Sequence, residues 1–278
     1  MKNQKQSLAL LFVTILATGC TGDNTAVTQS TPTEDTDIPR MNDGTPNLNG
    51  IWQVLNEANW NLEAHGASQG PVYALGAQFS VPPGLGVVAG ESIPYLPGAM
   101  TQKEANAAGR LELDPEIKCY MAGVPRSTYL PYPFQVIQSD GDILVAYQFA
   151  GAVRHVNMAD PTEAIIPSWM GWSNGRWEGD TLVIDVTGLN ANWLDRAGNY
   201  YSTSARVTER FTLENTDLIR YEATIEDPTV FSEPWTIAMP LYRRQEANAQ
   251  LLEYNCPEFA EEAMYGDLRS EPMPDTLH

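Results

Sequence analysis

Positive charge is scarce. The chain carries 16 Lys and Arg against 35 Asp and Glu, a formal net charge of −19 with a pI near 4.4. Nucleic-acid backbones are held by clustered cations, so this excess of acids argues against such a partner. Charged residues make up only 18% and hydrophobic ones 43%, which excludes a disordered acidic chain and leaves enough apolar surface for a packed core. Histidine is nearly missing, with three in 278 residues and none at zinc-ligand spacing, and the three cysteines include no CxxC pair. No metal and no cofactor is therefore expected. No Walker loop, Rossmann glycine fingerprint or serine nucleophile elbow is read in the chain. Long helical periodicity is also lacking, and 20 prolines with 21 glycines point to loop-rich β chain.

What is present begins with an address. Lys2 and Lys5 precede an apolar run from Leu8 to Leu16, too short to cross a bilayer core of roughly 30 Å, so residues 1–19 read as an export signal. Ala17-Thr18-Gly19-Cys20 resembles the bacterial lipobox, at which Cys20 is lipidated and becomes the mature N-terminus. An ordinary signal peptide cleaved nearby is the plainer alternative. Thr21, where an aspartate would stand for inner-membrane retention, resembles outer-membrane sorting. The expected location is the periplasmic face of the outer membrane, held by a lipid anchor, or else secretion. Removing residues 1–19 leaves 14 cations against 35 anions, so the surface repels anionic headgroups and the lipid does the anchoring. With Cys20 acylated, Cys119 and Cys256 remain in an oxidising compartment and read as a disulfide, two buried thiols being the alternative.

Residues 20–42 are mostly Thr, Asp, Ser and Pro and read as a flexible tether. A single domain over 43–278 follows, its first apolar anchor at Leu48, Ile51 and Trp52. The Gly- and Pro-rich stretch 69–98 predicts extended chain acting as a lid or binding wall. Thr101 and Glu104 form a capping box for a helix at 101–110, and Pro257 opens a second that stops at Gly266. Elsewhere the period is two. Phe134–Gln138 with Ile143–Tyr147 predicts a hairpin, and Ser168–Ser173 with Arg176–Glu178 another about Asn174-Gly175. Strands are predicted at Thr181–Thr187, Arg206–Leu213, Ile219–Ile225, Trp235–Leu241 and Gln250–Tyr254. The fold class is mainly β: an antiparallel meander closing into a barrel-like or sandwich domain with two short peripheral helices.

The chemistry-bearing candidates gather between His155 and Arg210. His155 is the candidate general base, with a surface or structural histidine as the alternative. Trp169, Trp172 and Trp177 fall within nine residues around turns. With Trp193 they make an aromatic lining for a flat apolar ligand, or else they pack the core. Asp185 lies in the apolar strand Thr181–Val186, and alternation leaves open which face it takes. Asp195, beside Arg196, reads by default as a solvated charge. Glu209 shares a face with Val207 and Phe211, which makes it a barrel-lining acid or a buried partner of an arginine. Together Asp185, Asp195 and Glu209 could give a cavity the paired carboxylates of metal-free acid/base work.

Several segments resemble a group of secreted bacterial proteins without an established activity. Asp43–Trp52 (DGTPNLNGIW) is similar to that group's DG-x-P-x-L-x-G-x-W opening. Pro167–Asp185 is similar to its PSWMG-x-S-x-G-x-WEGDTLV-x-D segment, and Trp193–Arg210 to its WLD-x-AG…V-x-ER segment. The stretches around Cys119 and Cys256 match as well. The likeness spans most of residues 43–266 and implies no reaction. The group often carries histidine where this chain has Trp172 and Tyr201, which implies that a site built on those histidines is lost here or rebuilt on Tyr201.

The expected function is binding of a small apolar or aromatic molecule by a lipid-anchored periplasmic protein. The alternatives are a metal-free lyase, isomerase or hydrolase working through His155, Asp185, Asp195, Tyr201 and Glu209, and a structural envelope lipoprotein. Lipidation at Cys20 predicts that the mature protein partitions into the detergent phase of a cloud-point extraction. Cys20→Ser then moves it to the aqueous phase, whereas an unchanged distribution contradicts the anchor.

Overall fold

The computed structural model describes residues 38–70, 73–90, 92–139 and 141–256. The export signal, Cys20, most of the expected tether and the helix expected at 257–266 lie outside the described residues. The barrel strands are β1 (Gly50–Gln53), β2 (Phe134–Gln138), β3 (Asp142–Tyr147), β4 (Val153–Asn157), β5 (Trp172–Glu178) and β6 (Thr181–Thr187). A short pair, β7 (Asn192–Trp193) and β8 (Tyr200–Tyr201), stands outside the barrel, which β9 (Arg206–Asn215), β10 (Leu218–Glu226) and β11 (Trp235–Arg243) complete. Each barrel strand pairs with its predecessor in the barrel, and β11 closes onto β1. Among the described residues this is a closed barrel of nine strands. Strands that alternate in direction around a ring must be even in number, so nine force one parallel junction. That junction is β4 against β5, and the other neighbours are antiparallel.

Alternation decides what fills the barrel. On β9 and β10, Val207, Glu209, Phe211, Leu213, Ile219, Tyr221, Ala223 and Ile225 are buried, and the residues between them face outward. On β6, Leu182, Ile184 and Val186 pair with Phe211, Glu209 and Val207 and so point the same way. Trp52, Phe134, Val136, Ile143, Val145, Val156, Ile237, Met239 and Leu241 add to the lining, and the interior is packed with side chains. At the end that carries the tight turns, the Arg243 guanidinium lies over the Trp52 ring at 4.3 Å and donates to Asn49 O at 2.6 Å. The opposite end carries the long connections 54–133, 188–205 and 227–234. On them sit α1 (Pro97–Ala108) and the single-turn helices α2 (Arg110–Leu113) and α3 (Arg126–Tyr129).

Several expectations need correction. Residues 168–178 do not form a hairpin, because β5 runs unbroken from Trp172 to Glu178. Gly175 is a strand residue there, not a turn residue. A Cβ on it would fall 2.4 Å from Met158 Sδ and 2.6 Å from Val156 Cγ1, so glycine lets these side chains lie flat on the strand. Residues 250–254 form no strand. Helix α1 begins at Pro97 without a side-chain cap, so Thr101 and Glu104 lie inside it and proline in the first turn is the effective start signal. The domain also begins earlier than Asp43. Ile38 packs against the core, and Arg40 makes two hydrogen bonds to Asp180 at 2.8 and 2.9 Å. Within the stretch 69–98, residues 87–89 run beside β11, with Ala89 N donating to Thr236 O and Ala238 N to Val87 O.

Cys119 and Cys256 form the expected disulfide, across a sequence separation of 137. Closing a loop of that length removes unfolded-state entropy equivalent to about 4–5 kcal/mol. Cys119→Ser with Cys256→Ser is therefore expected to lower the unfolding free energy by about that amount in urea titrations, with the fold retained. A loss below about 1 kcal/mol contradicts this account.

Candidate functional site

The parallel junction is short. Only Val156 with Ser173 and Asn157 with Asn174 are in register between β4 and β5, so the two strands part over Val153–His155. Because β5 runs parallel to β4, the chain must return along the outside of the barrel, and residues 158–171 make that return. Trp172 Nε1 donates to Thr162 Oγ1 at 2.8 Å, and Asn174 Nδ2 donates to Thr162 O at 2.9 Å. Farther on, Ser168 N donates to Gly188 O at 2.9 Å, tying the crossover to the end of β6. Gly171 turns the chain back at φ +66°, where a Cβ would strike Leu189, Val186 and Thr187 O at under 3 Å.

Between the parted strand and this crossover lies a cavity of about 670 Å³. Trp169, Trp172, Val153, Met121, Met170 and Pro167 supply its apolar wall. His155, Arg154, Asn157, Asn190, Ser168 and Ser173 supply the polar atoms, and among the described residues no carboxylate lines it. Trp169 is steadied by the Tyr120 ring at 5.5 Å, and Trp172 stands 36% exposed. None of the described residues of 69–98 borders this cavity.

The structure separates the residues proposed for acid/base work. His155 faces out from β4, largely exposed, with its Nε2 3.0 Å from Asp142 Oδ1. Asp185 also faces out, settling the open choice of face: Arg176 pairs with it and Thr208 Oγ1 donates to it at 2.8 Å. Glu209 points into the barrel and meets both readings offered for it. Arg154 Nη2 reaches Glu209 Oε2 at 2.5 Å and the Tyr221 hydroxyl donates to Oε1 at 2.7 Å. Asp195 is fully buried at the loop end, contrary to its reading as a solvated charge. It accepts from Leu62 N at 2.9 Å, Asn199 Nδ2 at 2.6 Å and Ala197 N at 2.9 Å, pinning two loops together. Tyr201 is buried as well, its hydroxyl pushed up in pKa by burial and without a hydrogen-bond partner among the described residues. Of these five, His155 alone lines the cavity.

Two of the four tryptophans also sit elsewhere. Trp177 packs against the core from the far end of β5, and Trp193 is buried on β7. Among the described residues no group of three or more His, Cys, Asp and Glu is arranged to hold a metal ion.

Most of the lining escaped the sequence reading, Arg154 and Ser173 included. Arg154 was detectable, because alternation through Val153-Arg154-His155-Val156 places it on the inward face with Val156. Ser173 was spelled out too, since Gly171-Trp172-Ser173-Asn174-Gly175 has the G-x-S-x-G spacing of a nucleophile elbow. An elbow needs a strand-to-helix turn, and here the serine is inside β5 with its Oγ accepting from Arg154 Nε at 2.7 Å. It is a hydrogen-bonded strand residue without the strand-to-helix turn of an elbow.

A second polar cluster organises the loop end. Arg126, wholly buried, donates to Asp114 at 2.7 and 3.0 Å, to Glu116 at 2.7 Å and to Asn59 Oδ1 at 3.1 Å. Arg196 reaches Glu116 at 2.6 and 2.9 Å and stacks over the Trp60 ring at 4.4 Å. Burial pushes the Glu116 carboxyl up, but Arg196 and Arg126 outweigh it and hold it down at about 2.

No protein-family model matches the chain, and no curated protein matches it.

Burial pushes the Asp195 carboxyl up to about 6 against its hydrogen bonds and the attraction of Arg126. The folded state therefore binds this proton more tightly than the unfolded chain, where the ordinary value is 3.8. The resulting stabilisation is complete below about pH 4 and is lost as pH rises through about 6. Glu116 has its window lower, between about 4.5 and 2, so the interval from pH 4.5 to 6 isolates Asp195. Unfolding free energy should fall by on the order of 1–2 kcal/mol across that interval, and Asp195→Asn should flatten the profile. An unchanged slope in the variant contradicts the assignment.

Proposed function

We propose that this is a lipid-anchored envelope protein that binds a small apolar or aromatic molecule in the cavity at the β4–β5 junction. The observation that carries the reading is the lining: among the described residues it has two tryptophans and apolar Val, Met and Pro side chains, with no carboxylate. A volume of about 670 Å³ suits a ligand of two or three fused rings. The cavity is held open by the crossover's hydrogen bonds and lies at the barrel wall, outside the filled lumen. The likeness of Asp43–Trp52 and Pro167–Asp185 to secreted bacterial proteins supports the exported location. Acid/base catalysis is the weaker reading, since Asp185, Asp195, Tyr201 and Glu209 each stand apart from the cavity.

N-phenyl-1-naphthylamine, neutral and fluorescent when shielded from water, tests this on the domain from residue 38 onward. We expect saturable enhancement, with Trp172→Ala and Trp169→Ala each weakening binding by about tenfold or more, as for truncated aromatic anchors. Unchanged affinity in both variants, or no saturable binding, overturns the reading.

A further inference from the structure

We propose that residues 257–266, which follow the described part of the chain, dock their apolar face on the rim of the junction cavity and compete there with the ligand. The docking stands on the geometry of the chain itself. Only the competition rests on the binding role proposed above.

The rim is apolar surface without a partner among the described residues. Val153 is 56% exposed, and Met121 and Trp172 are each more than a third exposed. All three line the one cavity, and half-exposed Tyr120 adjoins them with its ring against Trp169. Exposed apolar side chains gathered round one concavity mark a surface that takes an occupant.

The end of the described chain is brought to that rim from two sides. Leu252 N donates to Gln148 Oε1 at 3.3 Å, and the Tyr254 ring packs on Phe149 at 4.8 Å and on Tyr132 at 5.1 Å. Gln148 and Phe149 lead into Val153, one wall of the cavity. Cys256 is bonded to Cys119 with their Cα atoms 5.7 Å apart, and Cys119 leads through Tyr120 into Met121, another wall. Two further residues of backbone add at most about 7 Å, so the segment after Cys256 starts within about 13 Å of Met121. Ten helical residues span about 15 Å, enough to cover that distance.

The sequence of the segment suits the rim. At helical spacing Phe259, Ala260, Ala263 and Met264 share one face, with Glu258, Glu261 and Glu262 on the other. Ten residues are too few to hold a helix in water alone, so such a face needs a neighbour to bury it. Among the described residues no carboxylate lines the cavity, so the glutamates meet no like charge there. Met121, Val153 and Trp172 are also the surface the proposed ligand would use, and one apolar surface cannot be buried by both occupants at once.

Photo-cross-linking tests the docking in the chain from residue 38 onward, with the disulfide intact. With Phe259→p-benzoylphenylalanine, irradiation should join position 259 to peptides holding Met121, Val153 or Trp172 of the same molecule. Links to other parts of the chain, links between two molecules, or no link at all overturn the proposal. N-phenyl-1-naphthylamine tests the competition. Phe259→Ser with Met264→Ser should tighten its binding about threefold or more, because a smaller fraction of the molecules then has an occupied rim. An unchanged or weakened affinity overturns the competition. Rim links with no dye bound by either chain sustain the docking and fail the ligand reading alone. Equal dye binding by both chains, with links elsewhere, does the reverse.

Discussion

A ring of strands that reverses direction at every step cannot close on an odd number. This barrel has nine strands among the described residues, and the parity is resolved at one place, where β4 and β5 run parallel. A hairpin cannot join parallel neighbours. The chain must cross back along the barrel wall, and the 158–171 segment does so without a helix. With two residue pairs in register, the junction is a partly opened seam, and the crossover roofs the gap. The cavity follows from that geometry: its floor is the parted strand, its wall the crossover, and its aromatic edge the Trp169–Trp172 turn at which β5 begins.

Buried charge is handled in two separate compartments. Inside the barrel, Arg154 and Glu209 neutralise each other, with Ser173 and Tyr221 taking further bonds. At the loop end, Arg126 and Arg196 share Glu116 while Arg126 also grips Asp114. Each carboxylate here is fixed by a cation or by several N–H groups, the condition under which buried charge is tolerated. A carboxylate with its lone pairs already occupied is a poor general base. Asp195 is the partial exception in protonation, and its donors are main-chain amides and an asparagine that hold loops together.

Much of the architecture was legible from alternation alone. Val207, Glu209, Phe211 and Leu213 share a face in the sequence and share the lumen in the fold, and the hairpins at 134–147 and 206–226 fall where period two places them. The reading failed where a local signal had a tertiary cause. Asn174-Gly175 has the letters of a turn, but the glycine is there to admit Met158 and Val156. Asp195 looks like surface charge beside Arg196, yet its role depends on Leu62, over a hundred residues away in sequence. Of the candidate site, His155, Trp169 and Trp172 were visible as residue types. Their convergence was not, because it depends on the parallel junction, and no pattern within β4 or β5 announces which neighbour a strand will take. Arg154 lay one position from the residue that drew attention, on the opposite face.

The central claim is that the opened seam is where a ligand sits. Crystals soaked individually in a panel of neutral bicyclic aromatic fragments test it most directly. The account predicts density between β4 and the crossover, against Trp169 and Trp172, with the lumen still filled by side chains. Fragments bound only at other surfaces, or a seam that stays closed to every fragment in the panel, would contradict it.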